Sequence, residues 1–200
     1  MEGFPSDLLA KGQPVARSHK AERGPWWFST APDTGQGGGR FDLSSPGGTC
    51  YVADTIEVAA RERLRGTILA VRLVSPAFAD SFAVSAFAVP RQFLCANIEA
   101  DEAAGYGVTR ELAALAPVHY PISRAWADAF AEASFGGIRY GARFSPGQAN
   151  AWALFGRGGE GDPPAPSGIT LVSGRDACRR IGVAVDPHPR LDALTVLDSG

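Results

Sequence analysis

Apolar and polar positions alternate along this chain in short blocks whose period changes often, and each change marks an expected element boundary. Residues 1–25 are polar and broken by glycine and proline, with VARSHK (15–20) embedded. The stretch 1–15 is expected to be a flexible or peripheral segment. Trp26, Trp27 and Phe28 follow, then the glycine-rich TAPDTGQGGGR (30–40). TCYVA (49–53), entered through Pro46, Gly47 and Gly48, reads as a strand. Asp54 with Glu57 three residues on forms a capping-box-like start. Ile56, Ala59, Ala60 and Leu64 recur at helical spacing, so a helix is expected to stop before Gly66.

TILAVRLV (67–74) and FAVSAFAV (82–89) are rich in β-branched and aromatic residues and read as strands. Helices are expected over 109–116, ended by Pro117, and from Ser123 to about Gly136–Gly137, with Trp126, Ala127 and Phe130 on one face. GIRYGARF (137–144) and AWALF (151–155) read as later strands, and 157–168 as a surface loop. ITLV, a short helix around 176–181 and VAV complete the pattern. Strands and helices do not alternate in a regular βαβ rhythm, which favours an α+β or mixed α/β domain spanning 1–200 over a doubly wound sheet. No GxGxxG opens a helix after a strand, so Gly35, Gly37, Gly38 and Gly39 read as a mobile loop.

Composition narrows the function classes. A net charge of −2 lacks the basic excess of a nonspecific nucleic-acid binder. Cys50, Cys95 and Cys178 are odd in number and widely spaced, which argues against a disulfide framework; with only three histidines, no metal centre is expected either. The N-terminus lacks a signal-peptide pattern and no stretch reaches membrane-helix length, so a cytoplasmic protein is expected.

From Trp26 to Leu64 the chain reads PWWFST…GGGRFDLSSPGGTCYVADTIEVAARERL, with Arg40, Tyr51 and Glu62 each eleven residues apart. This resembles the RES domain family, best known as bacterial toxins: an Arg-Phe step, a strand with Tyr-x-Ala, and a helix carrying Glu. GGIRYGARFSPGQANAWALFG is similar to the family's later strand pair, so the resemblance covers about Arg17 to Phe155. It implies an ADP-ribosyltransferase-like α+β fold, a split, mostly antiparallel sheet with flanking helices and NAD⁺ bound in a cleft. It also implies consumption of NAD⁺ as substrate, by hydrolysis or phosphorolysis or by transfer of ADP-ribose to a protein. The implied partners are a separate helix-turn-helix antitoxin of the Xre type and a second copy in a homodimer.

The residue types suit that chemistry. Loss of nicotinamide leaves an oxocarbenium-like ribosyl cation, which a carboxylate at Glu62 would stabilise. A guanidinium grips a diphosphate in bidentate fashion, with Arg40 the first choice and Arg17 the second. Tyr51 offers an aromatic face to the nicotinamide or ribose. His19, beside Arg17 in the family's entry strand, Phe28 in its aromatic triplet and Tyr140 are further candidates for substrate contact. Each has an ordinary alternative. Arg40 would otherwise be a solvated loop arginine, Tyr51 a core tyrosine, and Glu62 a surface carboxylate paired with Arg61 or Arg65. One departure stands out: where the family commonly has Tyr-x-Ser, this chain has Tyr140-Gly141-Ala142. That loss keeps a non-catalytic nucleotide-binding module open as a second reading.

Overall fold

The computed structural model describes residues 1–35 and 37–186; Gln36 and residues 187–200, His188 among them, lie outside the described residues. The strands are β1 (Ser6–Leu9), β2 (Pro14–Lys20), β3 (Trp27–Phe28), β4 (Gly47–Ala53), β5 (Leu73–Val74), β6 (Phe82–Ala88), β7 (Phe93–Asn97), β8 (Gly137–Gly141), β9 (Asn150–Arg157), β10 (Gly159–Glu160), β11 (Ser167–Ser173) and β12 (Ala184–Val185). Among the described residues four α-helices accompany them: α1 (Ile56–Val71), α2 (Pro76–Asp80), α3 (Tyr120–Glu132) and α4 (Gly174–Arg180). Eight strands form one sheet in the order β1-β7-β8-β9-β4-β2-β6-β11. Its neighbours are antiparallel except β7 and β8, so the expectation of a mostly antiparallel sheet with helices is met. Among the described residues no helix is long and apolar enough to cross a membrane.

Side-chain alternation gives the central strands two buried faces. One face meets the helices in a large core that includes Phe41, Leu64, Phe82, Phe130 and Ile138. The other packs Val15, Cys50, Val52, Trp152 and Leu154 beneath Trp26 and Phe28, whose rings meet edge-on at 5.1 Å.

Several element boundaries differ from the sequence reading. Thr55, not Asp54, caps α1 by accepting from Val58 N at 3.2 Å, while Asp54 turns its carboxylate to Asn150 N at 2.6 Å. Helical geometry breaks at Arg65, with φ 63°, next to the expected stop. It then resumes to Val71, so 67–71 is helix rather than strand. Only Leu73–Val74 of the expected strand pairs, in parallel with β12 and outside the eight-stranded sheet. A short apolar run does not distinguish a buried helical turn from a strand by periodicity.

The expected helix over 109–116 is a 3₁₀ turn, Arg110–Ala114, and Pro117 opens a second one, Pro117–His119. α3 begins at Tyr120 rather than Ser123, because Pro121 fits the first turn, where no amide partner is needed. Residues 1–15 supply β1, paired with β7, and bury Phe4, Leu9 and Val15.

The Phe4 ring packs against Phe130 at 4.8 Å and Tyr106 at 5.0 Å. Phe4→Ala should therefore cost about 3 kcal/mol in urea unfolding, the range for a buried aromatic. A cost near zero would mean that the N-terminal segment is not part of the core.

Candidate active site

Register across the sheet places Ala16 opposite Ala53, Ala53 opposite Ala151 and Ala151 opposite Tyr140. Three small side chains in a line leave unfilled space above the sheet. A cleft of about 710 Å³ occupies it, within the range of small-molecule sites. Arg40, Tyr51, Glu62 and Tyr140 all line this cleft. The separated triad of the sequence is thus brought together from the end of the glycine loop, from β4 and from α1.

Tyr51 points from β4 toward the cleft while Cys50 and Val52 point away. Its hydroxyl donates to Asp42 Oδ1 at 2.9 Å and accepts from Phe41 N at 2.8 Å. Burial, with the Asp42 charge alongside, pushes the phenol well above its ordinary value, so Tyr51 stays neutral. Asp42 is fully buried and also accepts from Gly39 N at 2.6 Å. Its pKa is raised chiefly by burial, against the pull of these hydrogen bonds.

Glu62 makes no surface ion pair with Arg61 or Arg65; its Oε1 accepts from Phe144 N at 2.8 Å. Burial raises its pKa, opposed by the Phe144 amide and then by the charges of Arg40, Arg143 and Arg65. Arg40, Arg63, Arg65 and Arg143 all line the cleft, with Glu62 the one carboxylate among the lining residues. The Nε atoms of Arg40 and Arg63 are buried without a hydrogen-bond partner among the described residues. Four guanidinium groups against one carboxylate give the cleft lining an excess of positive charge.

Three further candidates lie elsewhere. β2 presents Ala16 and Ser18 to the cleft, and alternation turns Arg17 and His19 to the opposite face. Arg17 is buried there, donating to Pro25 O at 2.9 Å, to Trp27 O and to Cys50 Sγ at 2.8 Å. His19 meets Ser85 Oγ at 2.9 Å and Lys20 O at 2.9 Å, and burial lowers its pKa. Phe28 belongs to the aromatic cluster on that same far face. A two-residue step along a strand cannot move these side chains to the cleft.

The sequence reading missed Asp42, Arg63, Arg65, Arg143, Phe144 and Tyr120. Asp42 follows directly on the Arg-Phe step, and its position was the available signal. The others come from elements far apart in sequence, and nothing in their local pattern sets them off from surface residues. Ser145 does not replace the absent serine: it does not line the cleft, and its buried Oγ has no partner among the described residues.

The family model of the RES domain matches residues 14–172. No curated protein matches the chain. Among solved structures, a chain from the crystal structure of the M. tuberculosis MbcT-MbcA toxin-antitoxin complex is similar, with a TM-score of 0.55 at 10% identity. The similarity covers 88% of this chain and 92% of that one, and shows a shared fold.

The raised pKa of Asp42 has a stability consequence. A carboxyl whose folded pKa exceeds its unfolded value binds more protons when folded, so its contribution falls as pH rises through that window. Asp42→Asn carries no such charge. Urea titrations should show the stability difference moving in favour of Asp42→Asn as pH rises above the ordinary aspartate value of 3.8. A difference that is flat in pH would contradict the assigned burial.

Proposed function

The chain belongs to the RES domain family, and on that premise we propose that it cleaves NAD⁺ at the nicotinamide–ribose bond as the toxin of a toxin–antitoxin pair. The observation that carries this reading is the convergence of Arg40, Tyr51 and Glu62 in one cleft, ringed by Arg63, Arg65 and Arg143. The mostly antiparallel sheet with its cleft is read as ADP-ribosyltransferase-like. The fold shared with a chain of a toxin–antitoxin complex supports a separate antitoxin, of the helix-turn-helix Xre type, as partner.

In this mechanism the guanidinium of Arg40 holds the diphosphate, aided by the other cleft arginines. The faces of Tyr51 and Tyr140 hold the nicotinamide riboside end; both phenols are kept neutral by burial, so neither serves as a base. The bond between ribose C1′ and the nicotinamide nitrogen breaks, and its electron pair leaves with nicotinamide. The positive charge that remains on the ribose is stabilised by the Glu62 carboxylate, whose Oε1 is fixed by Phe144 N. Water or inorganic phosphate then bonds to C1′, and a proton is released to solvent. Transfer of ADP-ribose to a protein is a variant in which a side chain takes the place of water.

Ala142 favours one alternative, a non-catalytic nucleotide-binding module. It sits two residues beyond Tyr140, where the family commonly carries serine. Nicotinamide release from NAD⁺ by the purified protein separates the two. Under the enzymatic reading Glu62→Gln lowers the rate by about 100- to 1000-fold, the usual cost of losing a charge-stabilising group. Unchanged turnover by Glu62→Gln would sink the mechanism, and saturable NAD⁺ binding without release would favour the binding module.

The pH profile gives a further check. Glu62 must be ionised to act, and its pKa is raised. The rate should therefore fall on acidification with a midpoint above the ordinary glutamate value of 4.5, read from initial rates across pH.

A further inference from the structure

The segment that carries Arg40 has little regular structure of its own. Gly35, Gly37 and Gly38 have positive φ values of 70°, 79° and 69°, so much of its backbone is held in a conformation that other residues resist. Three of its carbonyls receive hydrogen bonds from one side chain of α3. Arg124 donates from Nε to Gly39 O at 3.2 Å, from Nη1 to Gly35 O at 3.2 Å and from Nη2 to Gly37 O. Its neighbours on α3 hold the same segment further on. Ser123 Oγ donates to Arg40 O at 2.7 Å, and Asp128 accepts from Ser44 N at 3.0 Å and from Ser44 Oγ at 2.8 Å.

Arg124 is buried and makes none of the direct ion pairs found among the described residues; its charge is met by main-chain carbonyls, by the Tyr120 ring at 5.8 Å and, through space, by the Asp42 carboxylate. Burying a guanidinium with no carboxylate in direct contact is costly, which makes it a poor choice for ordinary packing. A rigid planar fork that spans three carbonyls does what a lysine or an apolar residue cannot. There is also no slack in the assembly. A Cβ on Gly38 would come within 2.8 Å of Asp42 Oδ2 and 2.9 Å of Arg124 Nη2, and one on Gly39 would collide with Tyr51 Oη.

We propose that Arg124 is a positioning residue for the cleft: by gripping the carbonyls of Gly35, Gly37 and Gly39 it fixes the glycine segment and so sets Arg40 over the bound diphosphate. Arg124 does not line the cleft. Its effect passes through the loop backbone. The link to a diphosphate rests on the NAD⁺ reading, whereas the clamp itself does not.

The test pairs a substrate-free measurement with a kinetic one. In Arg124→Ala, amide hydrogen exchange at Gly39 and Phe41 should accelerate at least ~10-fold in the ligand-free protein, while the strands keep their protection. Low-millimolar guanidinium should restore slow exchange by filling the vacated site, and methylammonium should not. Damage that is merely structural would not be relieved by guanidinium at that concentration, which is far below what alters the stability of folded proteins.

With NAD⁺, the same variant should raise KM by ~10-fold or more with a smaller loss in kcat, and guanidinium should recover it. Exchange at Gly39 that is unchanged in Arg124→Ala overturns the clamp. Altered exchange with wild-type NAD⁺ kinetics overturns the link to Arg40. A wild-type protein that neither binds nor cleaves NAD⁺ overturns that link together with the NAD⁺ reading, while the exchange result still decides the clamp. Should Arg124→Ala fail to fold, Arg124→Lys carries the same test. It keeps the charge without the fork, so wild-type exchange and kinetics in it overturn the proposal.

Discussion

Alanine at positions 16, 53 and 151 removes side-chain bulk along one line of the sheet, and the cleft is the volume left behind. Everything chemical in the protein depends on that line. Were those positions filled by valine or leucine, as a buried strand face usually is, the helices would close over a continuous core and the arginines would have nothing to surround. The same alternation that turns Ala16 and Ser18 inward turns Arg17 and His19 outward. One strand therefore supplies both the cleft floor and the buried polar contacts of the opposite layer.

The walls of that space are in electrostatic tension. Burial disfavours ionisation of Glu62 and Asp42, while hydrogen bonds and neighbouring guanidinium groups favour it. For Glu62 the opposing charges belong to residues that face the open cleft. An incoming polyanion would engage those same arginines, so ligand binding and carboxylate ionisation are coupled through shared cations. Asp42 lies one layer further back, and its partners are a backbone amide and a tyrosine. Its role is geometric: it joins the end of the glycine segment to the strand bearing Tyr51.

How much of this was legible in the sequence depends on how local each signal is. Tyr51 and Glu62 sit on elements whose periodicity is strong, and β4 and the first turns of α1 fall where the pattern places them. Arg40 was legible only through its spacing and the family resemblance, since a loop arginine has no pattern of its own. Arg17, His19 and Phe28 share the neighbourhood in sequence with the cleft residues but not in space, because strand register decides the face and register is set by partners more than thirty residues away. Residues 67–71 were illegible for a different reason: an apolar run this short has no period that separates a helical turn from a strand.

The residues hardest to see from sequence are those of α3. Ser123, Arg124 and Asp128 lie more than eighty residues from the backbone they bind. On a helical wheel they are the ordinary polar positions of an amphipathic helix, and only the fold reveals that they face a loop rather than solvent. The cleft is therefore specified twice. Local sequence supplies groups able to act, and a distant helix fixes the least regular segment among them. A glycine-rich loop is the natural carrier for Arg40 because its backbone can pass close to Tyr51 and Asp42 where a Cβ would collide. Its conformational freedom must then be removed from outside, and a buried guanidinium that meets three carbonyls at once does the largest part of this among the side chains that hold it.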